Sequence, residues 1–197
     1  MISMAVTAED AIDLVTRALA GRDQDGARQA IEMTRGMEEQ EREIENHCLR
    51  LLLQQQPVAR DLRTISTALK MVTDLQRIGD QAANIAELAI LLSEEEKVWE
   101  LTDIRLMSQK AGIMVKRAIF SYANRDVEAA KAVIALDDEV DDLFQKIKKE
   151  LVELILSNHT AADQALDLII IAKYLERIAD HGVNIAQWAI FSVTGEL

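Results

Sequence analysis

Apolar side chains recur along the chain at spacings of three and four. Val140, Leu143, Ile147, Leu151 and Leu154 are one such series, and that spacing puts them on one face of a helix. The same reading predicts helices over 4–20, 25–55, 59–92, 102–124, 127–157 and 161–192. Gly21, Pro57 and Ser93-Glu94-Glu95-Glu96 punctuate the first three, and Asn124 and Ser157-Asn158 the last three. Gly and Asn tolerate the backbone of a helix stop. Thr102 and Asp126 are candidate N-caps, and Gly36 is a candidate early break in the second helix. A helix of about 30 residues is ~45 Å long. Short connections between such rods make antiparallel neighbours, hence three-helix bundles.

The pattern is written twice. Leu75–Ala86 (LQRIGDQAANIA) returns 100 positions later as Leu175–Ala186 (LERIADHGVNIA). Nearer the start the shift is 103: Ala20-Gly21-Arg22-Asp23 pairs with Ala123-Asn124-Arg125-Asp126, Ile44 with Ile147, and Leu51 with Leu154. A length difference between Leu53 and Leu62, at Gln54-Gln55-Gln56-Pro57, belongs in a loop. The expected fold is therefore all-α: a tandem duplication of a three-helix bundle, six long helices in all, with copies at 1–97 and 98–197 related by a pseudo-twofold. The first helix lacks an N-cap before Met4, so its opening turns are expected to be truncated.

Composition narrows the function classes. Of 197 residues, 34 are acidic and 22 basic, a formal charge of -12. Nucleic acid is held through neutralised phosphates, and no basic stripe is present to do it. A basic amphipathic membrane helix is also absent. The most apolar run, Leu168–Ala172, is too short to span a bilayer and ends at Lys173. The first residues lack the basic start of a signal peptide. Cys48 is the single cysteine, which suits a reducing cytoplasm, and its leucine neighbours suggest a buried, inert thiol.

The third helix of each copy is apolar on most faces, so it is expected at the seam between the copies. Each keeps one polar stripe: Thr73, Gln76, Arg77, Asp80, Asn84 and Glu87 in the first, Lys173, Glu176, Arg177, Asp180, Asn184 and Gln187 in the second. Glu176 and Asp180 lie at i and i+4. Asp137 and Asp141 have the same spacing on the preceding helix. Two carboxylates from each of two facing helices could offer oxygen ligands to a cation. Equally, Asp180 could pair with Arg177, and the acidic run 137–142 could be a solvated first turn favoured by the helix dipole. Arg77 and Arg177, on largely apolar helices, are expected to need buried acidic partners, with Asp80 and Asp180 the local candidates. His47, His159 and His181 form no Glu-x-x-His pair. His159 reads as a turn residue, while His181 is expected on the surface or in the core, with a place flanking a cation beside Asp180 the alternative. No nucleophile signature or nucleotide-binding glycine loop is present.

These features together resemble the PhoU family of bacterial phosphate-signalling regulators. The likeness rests on the duplicated three-helix unit and on Gln55-Gln56-Pro57-Val58-Ala59-Arg60-Asp61-Leu62-Arg63. It rests also on the two Arg-Ile-x-Asp-x-x-x-Asn-Ile segments and on Tyr174–His181. The resemblance implies a cytoplasmic, non-enzymatic adaptor. Such an adaptor damps phosphate uptake and the phosphate-starvation response by linking a phosphate ABC transporter ATPase to a sensor histidine kinase; a homodimer is expected. It also implies metal clusters on (Glu/Asp)-x-x-x-Asp motifs, two per copy, holding divalent or ferric ions (Fe, Zn, Mn or Mg). Copy two matches at Asp137, Asp141, Glu176 and Asp180. Copy one has Thr34-x-x-x-Glu38 and Gln76-x-x-x-Asp80, so Glu38 and Asp80 are the weaker candidates. The alternatives are a carboxylate-rich helical-bundle metalloprotein and a structural dimerisation module.

Overall fold

The structure, a computed structural model, describes residues 1–55, 58–94, 100 and 102–196. Among them no strand occurs. The helices are α1 (Ile2–Gly21), α2 (Gln24–Gln55), α3 (Ala59–Ser93), α4 (Thr102–Asn124), α5 (Val127–Ile134), α6 (Asp137–Ser157) and α7 (Ala162–Thr194), with a single 3₁₀ turn at His159–Ala161 before α7. The predicted elements are thus present, with one difference. The helix expected over 127–157 is two helices, α5 and α6, separated at Ala135-Leu136. The break falls in copy two. In copy one α2 runs through Gly36 without interruption, because one glycine costs a helix only about 1 kcal/mol and packing outweighs it. The punctuation expected at Pro57, Glu95 and Glu96 lies outside the described residues, as does the boundary between the copies at 97–98.

The stop-start corner between first and second helices is built alike in both copies. The left-handed residue is neither Gly21 nor Asn124 but the arginine that follows, Arg22 (φ 55°) and Arg125 (φ 56°). That conformation costs a side-chain-bearing residue roughly 1–2 kcal/mol. At Arg22 something offsets it: the guanidinium donates to the carbonyl of Leu92 at 2.7 Å and so satisfies the C-terminal end of α3. The next residue restarts the chain. Asp23 accepts from the N–H of Gly26 at 3.0 Å, and Asp126 accepts from the N–H of Ala129 at 2.9 Å, an N-cap in each case.

Packing follows the duplication. Within copy one, α1, α2 and α3 pack on each other; within copy two, α4, α5 and α6 pack against α7. Across the seam, like meets like: α1 packs on α4 and α3 on α7. The small residues Ala5, Ala8, Ala11 and Ala18 bury one side of α1, and Ala111 and Ala118 one side of α4. The two third helices supply the longest buried stripes, from Ile65 to Leu92 and from Gln164 to Ala189. Buried side chains of all seven helices form a single connected core, so the copies share their interior.

A polar crossing joins α3 to α7 in the shared interior. Asp74 on α3 lies 2.9 Å from Nδ1 of His181 and accepts from the Asn184 amide at 3.2 Å, both on α7. His181 follows Asp180 in sequence but is turned about 100° round the helix from it. It therefore faces α3 and does not flank the carboxylates, which removes the cation-flanking reading and leaves the structural one. The expected burial of Arg77 and Arg177 is also overturned. Both are exposed. The Arg77–Asp80 contact, 3.4 Å long, leaves the Arg77 side chain 59% exposed. Their stripe is the solvent-facing edge of helices whose other faces are covered.

Candidate functional site

The break at Ala135-Leu136 sets up the one concentrated group of carboxylates in copy two. Leu136 donates back to Val133 O, and Glu139 donates to Leu136 O, which restarts the helix so that Asp137 opens α6. Asp138 and Glu139 share that first turn. A helix N-terminus favours a carboxylate by about 0.3–1 kcal/mol, which would lower the Asp137 pKa. The opposite occurs. Burial first, then the charges of Asp141, Asp180 and Asp138, push Asp137 from 3.8 up to about 6. A shift of that size corresponds to about 3 kcal/mol before allowance for solvent screening, so crowding and desolvation override the dipole. None of Asp137, Asp141 and Asp180 has an ion pair with a lysine or arginine among the described residues.

The fourth candidate is engaged elsewhere. Glu176 is held by an ion pair with Lys173, three residues earlier on α7. The Lys173 ammonium also stands 5.3 Å from the centre of the Phe144 ring, a cation–π contact that fixes it against α6. Asp141 and Asp180 are therefore brought within electrostatic range of Asp137, and Glu176 is partnered with a lysine. Among the described residues no set of three or more His, Cys, Asp or Glu side chains converges closely enough to hold a metal ion.

The matching face of copy one is wired differently. Thr34, in the place of Asp137, donates to the carbonyl of Ile31 at 2.9 Å. Glu38, in the place of Asp141, pairs with Arg42. Asp80, in the place of Asp180, accepts from the Gln76 amide at 2.8 Å and pairs with Arg77. One carboxylate there was missed by sequence reasoning. Glu41 stands where copy two has Phe144, and burial raises its pKa, with Glu45 and Asp80 adding to the rise while the Thr73 hydroxyl and Arg77 oppose it. Thr73 in turn stands where copy two has Lys173. The signal that could have found Glu41 is its position: it lies three residues after Glu38 on the same helix face.

The remaining candidates have structural surroundings. Cys48 is buried, and that burial raises its pKa, so it stays a thiol. His47 and His159 are exposed, the latter opening the 3₁₀ turn. No helix among the described residues is long and apolar enough to cross a membrane.

Fold and site together define a class: a duplicated long-helix bundle with an acidic face on its second copy. The comparisons with known proteins give that class a family. The PhoU domain model matches twice, over residues 1–89 and 104–189, and the chain belongs to the PhoU family. Among its relatives is a phosphate-specific transport system accessory protein PhoU homolog of Aquifex aeolicus. It is 38% identical over 197 residues, which is all of this chain and 89% of that protein. The homolog of Clostridium acetobutylicum is 34% identical over all of this chain and 90% of its own length. The crystal structure of PhoU from Pseudomonas aeruginosa superposes with a TM-score of 0.96 at 33% identity, over 99% of this chain and 94% of that one. PhoU from Streptococcus pneumoniae, at 24% identity, shares the fold with a TM-score of 0.92 over 99% of this chain and 92% of that one.

Proposed function

We propose that this chain is a non-enzymatic accessory protein of a phosphate-specific transport system. It restrains phosphate uptake and the starvation response by stoichiometric binding in the cytoplasm. The partners are the transporter's ATPase and a phosphate-sensing histidine kinase. The observation that carries this reading is the match over essentially the whole chain to relatives named as accessory proteins of that system. An adaptor shifts a partner's equilibrium only by its difference in affinity for the partner's two states, so the reading needs docking surface and no catalytic group. Exposed apolar side chains recur in both copies and support it. Leu49 and Leu53 on α2 and their counterparts Val152 and Leu156 on α6 are all exposed, Leu53 by 82% and Leu156 by 71%. An exposed apolar pair repeated on two copies suits a partner that presents the same surface twice.

A cation belongs to the proposal as a local element. Asp137, Asp141 and Asp180 would supply oxygen ligands to magnesium, manganese, zinc or iron once drawn closer together than they stand here, and the repulsion of Asp141 and Asp180 on Asp137 is what a bound cation would relieve. Glu176 would join them only after releasing Lys173.

Capture of partners by the full chain from cells grown with ample phosphate tests the adaptor role. The transporter ATPase is expected in the complex, and the substitutions Leu53→Asp with Leu156→Asp should weaken its retention. Turnover of a phosphate ester by the purified chain, abolished in Asp180→Ala, would contradict the non-enzymatic reading.

A further inference from the structure

The seam between α1 and α4 is grooved at both ends, and the two grooves are related by the duplication. One is a cleft of about 690 Å³; the other holds about 210 Å³. Adding 103 to a residue number on α1, or subtracting it on α4, turns every residue lining the smaller groove into one lining the larger. The two grooves are therefore the same place built from different side chains. Where the small one has Phe120, Ile2, Ala5 and Val6, the large one has Arg17, Arg105, Ser108 and Gln109. Glu9 and Lys116 line both grooves, so Arg17 and Arg105 are what make the larger one the more cationic.

The cationic end stands out from the rest of a chain with a net charge of -12. Arg17, Arg105 and Lys116 line it against only Asp13 and Glu9. Arg17 pairs with Asp13 at 3.1 Å and Lys116 with Glu9 at 2.6 Å. Arg17, Asp13 and Lys116 are well exposed and Glu9 is half-buried; surface pairs are worth about 0–1 kcal/mol, so a stronger anion can displace them. Arg105 is exposed and has no ion pair among the described residues. The side chain of Thr16 on α1 donates to Ile12 O at 2.6 Å and is hydrogen-bonded across the seam to Ser108, itself 2% exposed. This hydroxyl pair ties α1 to α4 in the lining of the cleft. Its volume lies in the range of small-molecule sites, roughly 300–1,000 Å³.

We propose that this cleft between the two copies binds a phosphate-bearing small molecule. A carboxylate has two oxygens, and a single guanidinium fork satisfies both. A phosphoryl group has three non-bridging oxygens and can be met from both walls at once: by Arg17 from α1, and by Arg105 and Gln109, one turn apart, from α4. The ligand would bridge the halves of the molecule at the seam, where α1 meets α4. The inference stands apart from partner docking and from the carboxylates of α6 and α7, because neither contributes a residue to this cleft.

The test is titration calorimetry on the full chain with three probes: inorganic phosphate, ADP and citrate. Saturable binding of phosphate or ADP, one per chain and weaker at high salt, is expected. The tighter of those two probes tells whether free phosphate or an organic phosphate is the source. Arg105→Gln, at an exposed position without an ion pair, should leave folding intact and weaken that binding roughly tenfold or more, as loss of a charge-assisted bond does. Arg50→Gln, exposed on α2, should not. No heat from either phosphate-bearing probe at millimolar concentration, an affinity unchanged in Arg105→Gln, or citrate bound as tightly as phosphate would each overturn the proposal.

Discussion

The polar faces of α2/α3 and of α6/α7 began as one sequence pattern and now do opposite things with their charge. In copy one each candidate carboxylate has a partner of its own: Arg42 for Glu38, and Gln76 with Arg77 for Asp80. In copy two the partners are gone. Asp137 replaces Thr34, and it faces Asp141 and Asp180, which raise its pKa on top of burial. The nearby cations are taken up elsewhere: Lys173 by Glu176 and the Phe144 ring, and Lys110 by Glu139. The break between α5 and α6 sharpens the contrast, since it makes Asp137 the start of a helix where copy one has unbroken α2. Duplication supplies two equal scaffolds. A handful of substitutions is enough to leave one of them neutralised from within and the other with three carboxylates that no lysine or arginine pairs among the described residues.

The largest effect expected from breaking this arrangement lies at the polar crossing between the copies. Asp74→Ala removes the acceptor of both His181 and Asn184 and leaves two half-buried groups on α7 without it. Chemical denaturation should show a loss of about 1–3 kcal/mol. The corresponding change in copy two, Tyr174→Phe, should cost less, because no hydrogen bond of that hydroxyl joins the two helices among the described contacts. Next in size is Asp137→Asn, which should stabilise the protein. A carboxyl whose folded pKa is raised binds its proton more tightly in the folded state. Its contribution therefore falls as pH rises from about 4 to about 6, and the whole penalty is present above that window. Allowing for partial exposure, the gain should be about 1–2 kcal/mol at pH 8 and near zero at pH 4. Denaturation curves at the two pH values check it.

Smaller again is Asp126→Ala, which removes the N-cap of α5 and should cost ~1 kcal/mol by the same measurement. The smallest effects belong to Arg77→Ala and Arg177→Ala. Both side chains are exposed, so each should change stability by less than ~1 kcal/mol. A loss of several kcal/mol in either would show that the stripe is covered.

How far this was legible follows from the kind of signal each feature leaves. The helices left a period of three and four, and the duplication left matching segments 100 and 103 positions apart, so both were readable. The break at Ala135-Leu136 left none, because alanine and leucine are both good helix formers. Arg77 and Arg177 misled because an apolar helix reads as buried all round, whereas the structure leaves one edge of α3 and α7 in solvent. The spacing of Asp137, Asp141, Glu176 and Asp180 placed two carboxylates on each of α6 and α7, and in the structure the charges of Asp141 and Asp180 act on Asp137. It could not show that Lys173, on the same stripe, would take Glu176. Glu41 and the crossing at Asp74 depend on which helix packs opposite, and a single helix's periodicity does not carry that.

The unequal charge of the two faces is tested most directly by titrating the full chain with manganese, magnesium, zinc and ferric or ferrous iron. Wild type is to be compared with Asp137→Ala/Asp180→Ala and with Glu38→Ala/Asp80→Ala. The expected result is cation binding that is lost in the copy-two double variant and retained in the copy-one double variant. The same heat signal in wild type and in Asp137→Ala/Asp180→Ala, or a loss confined to the copy-one variant, would contradict the account.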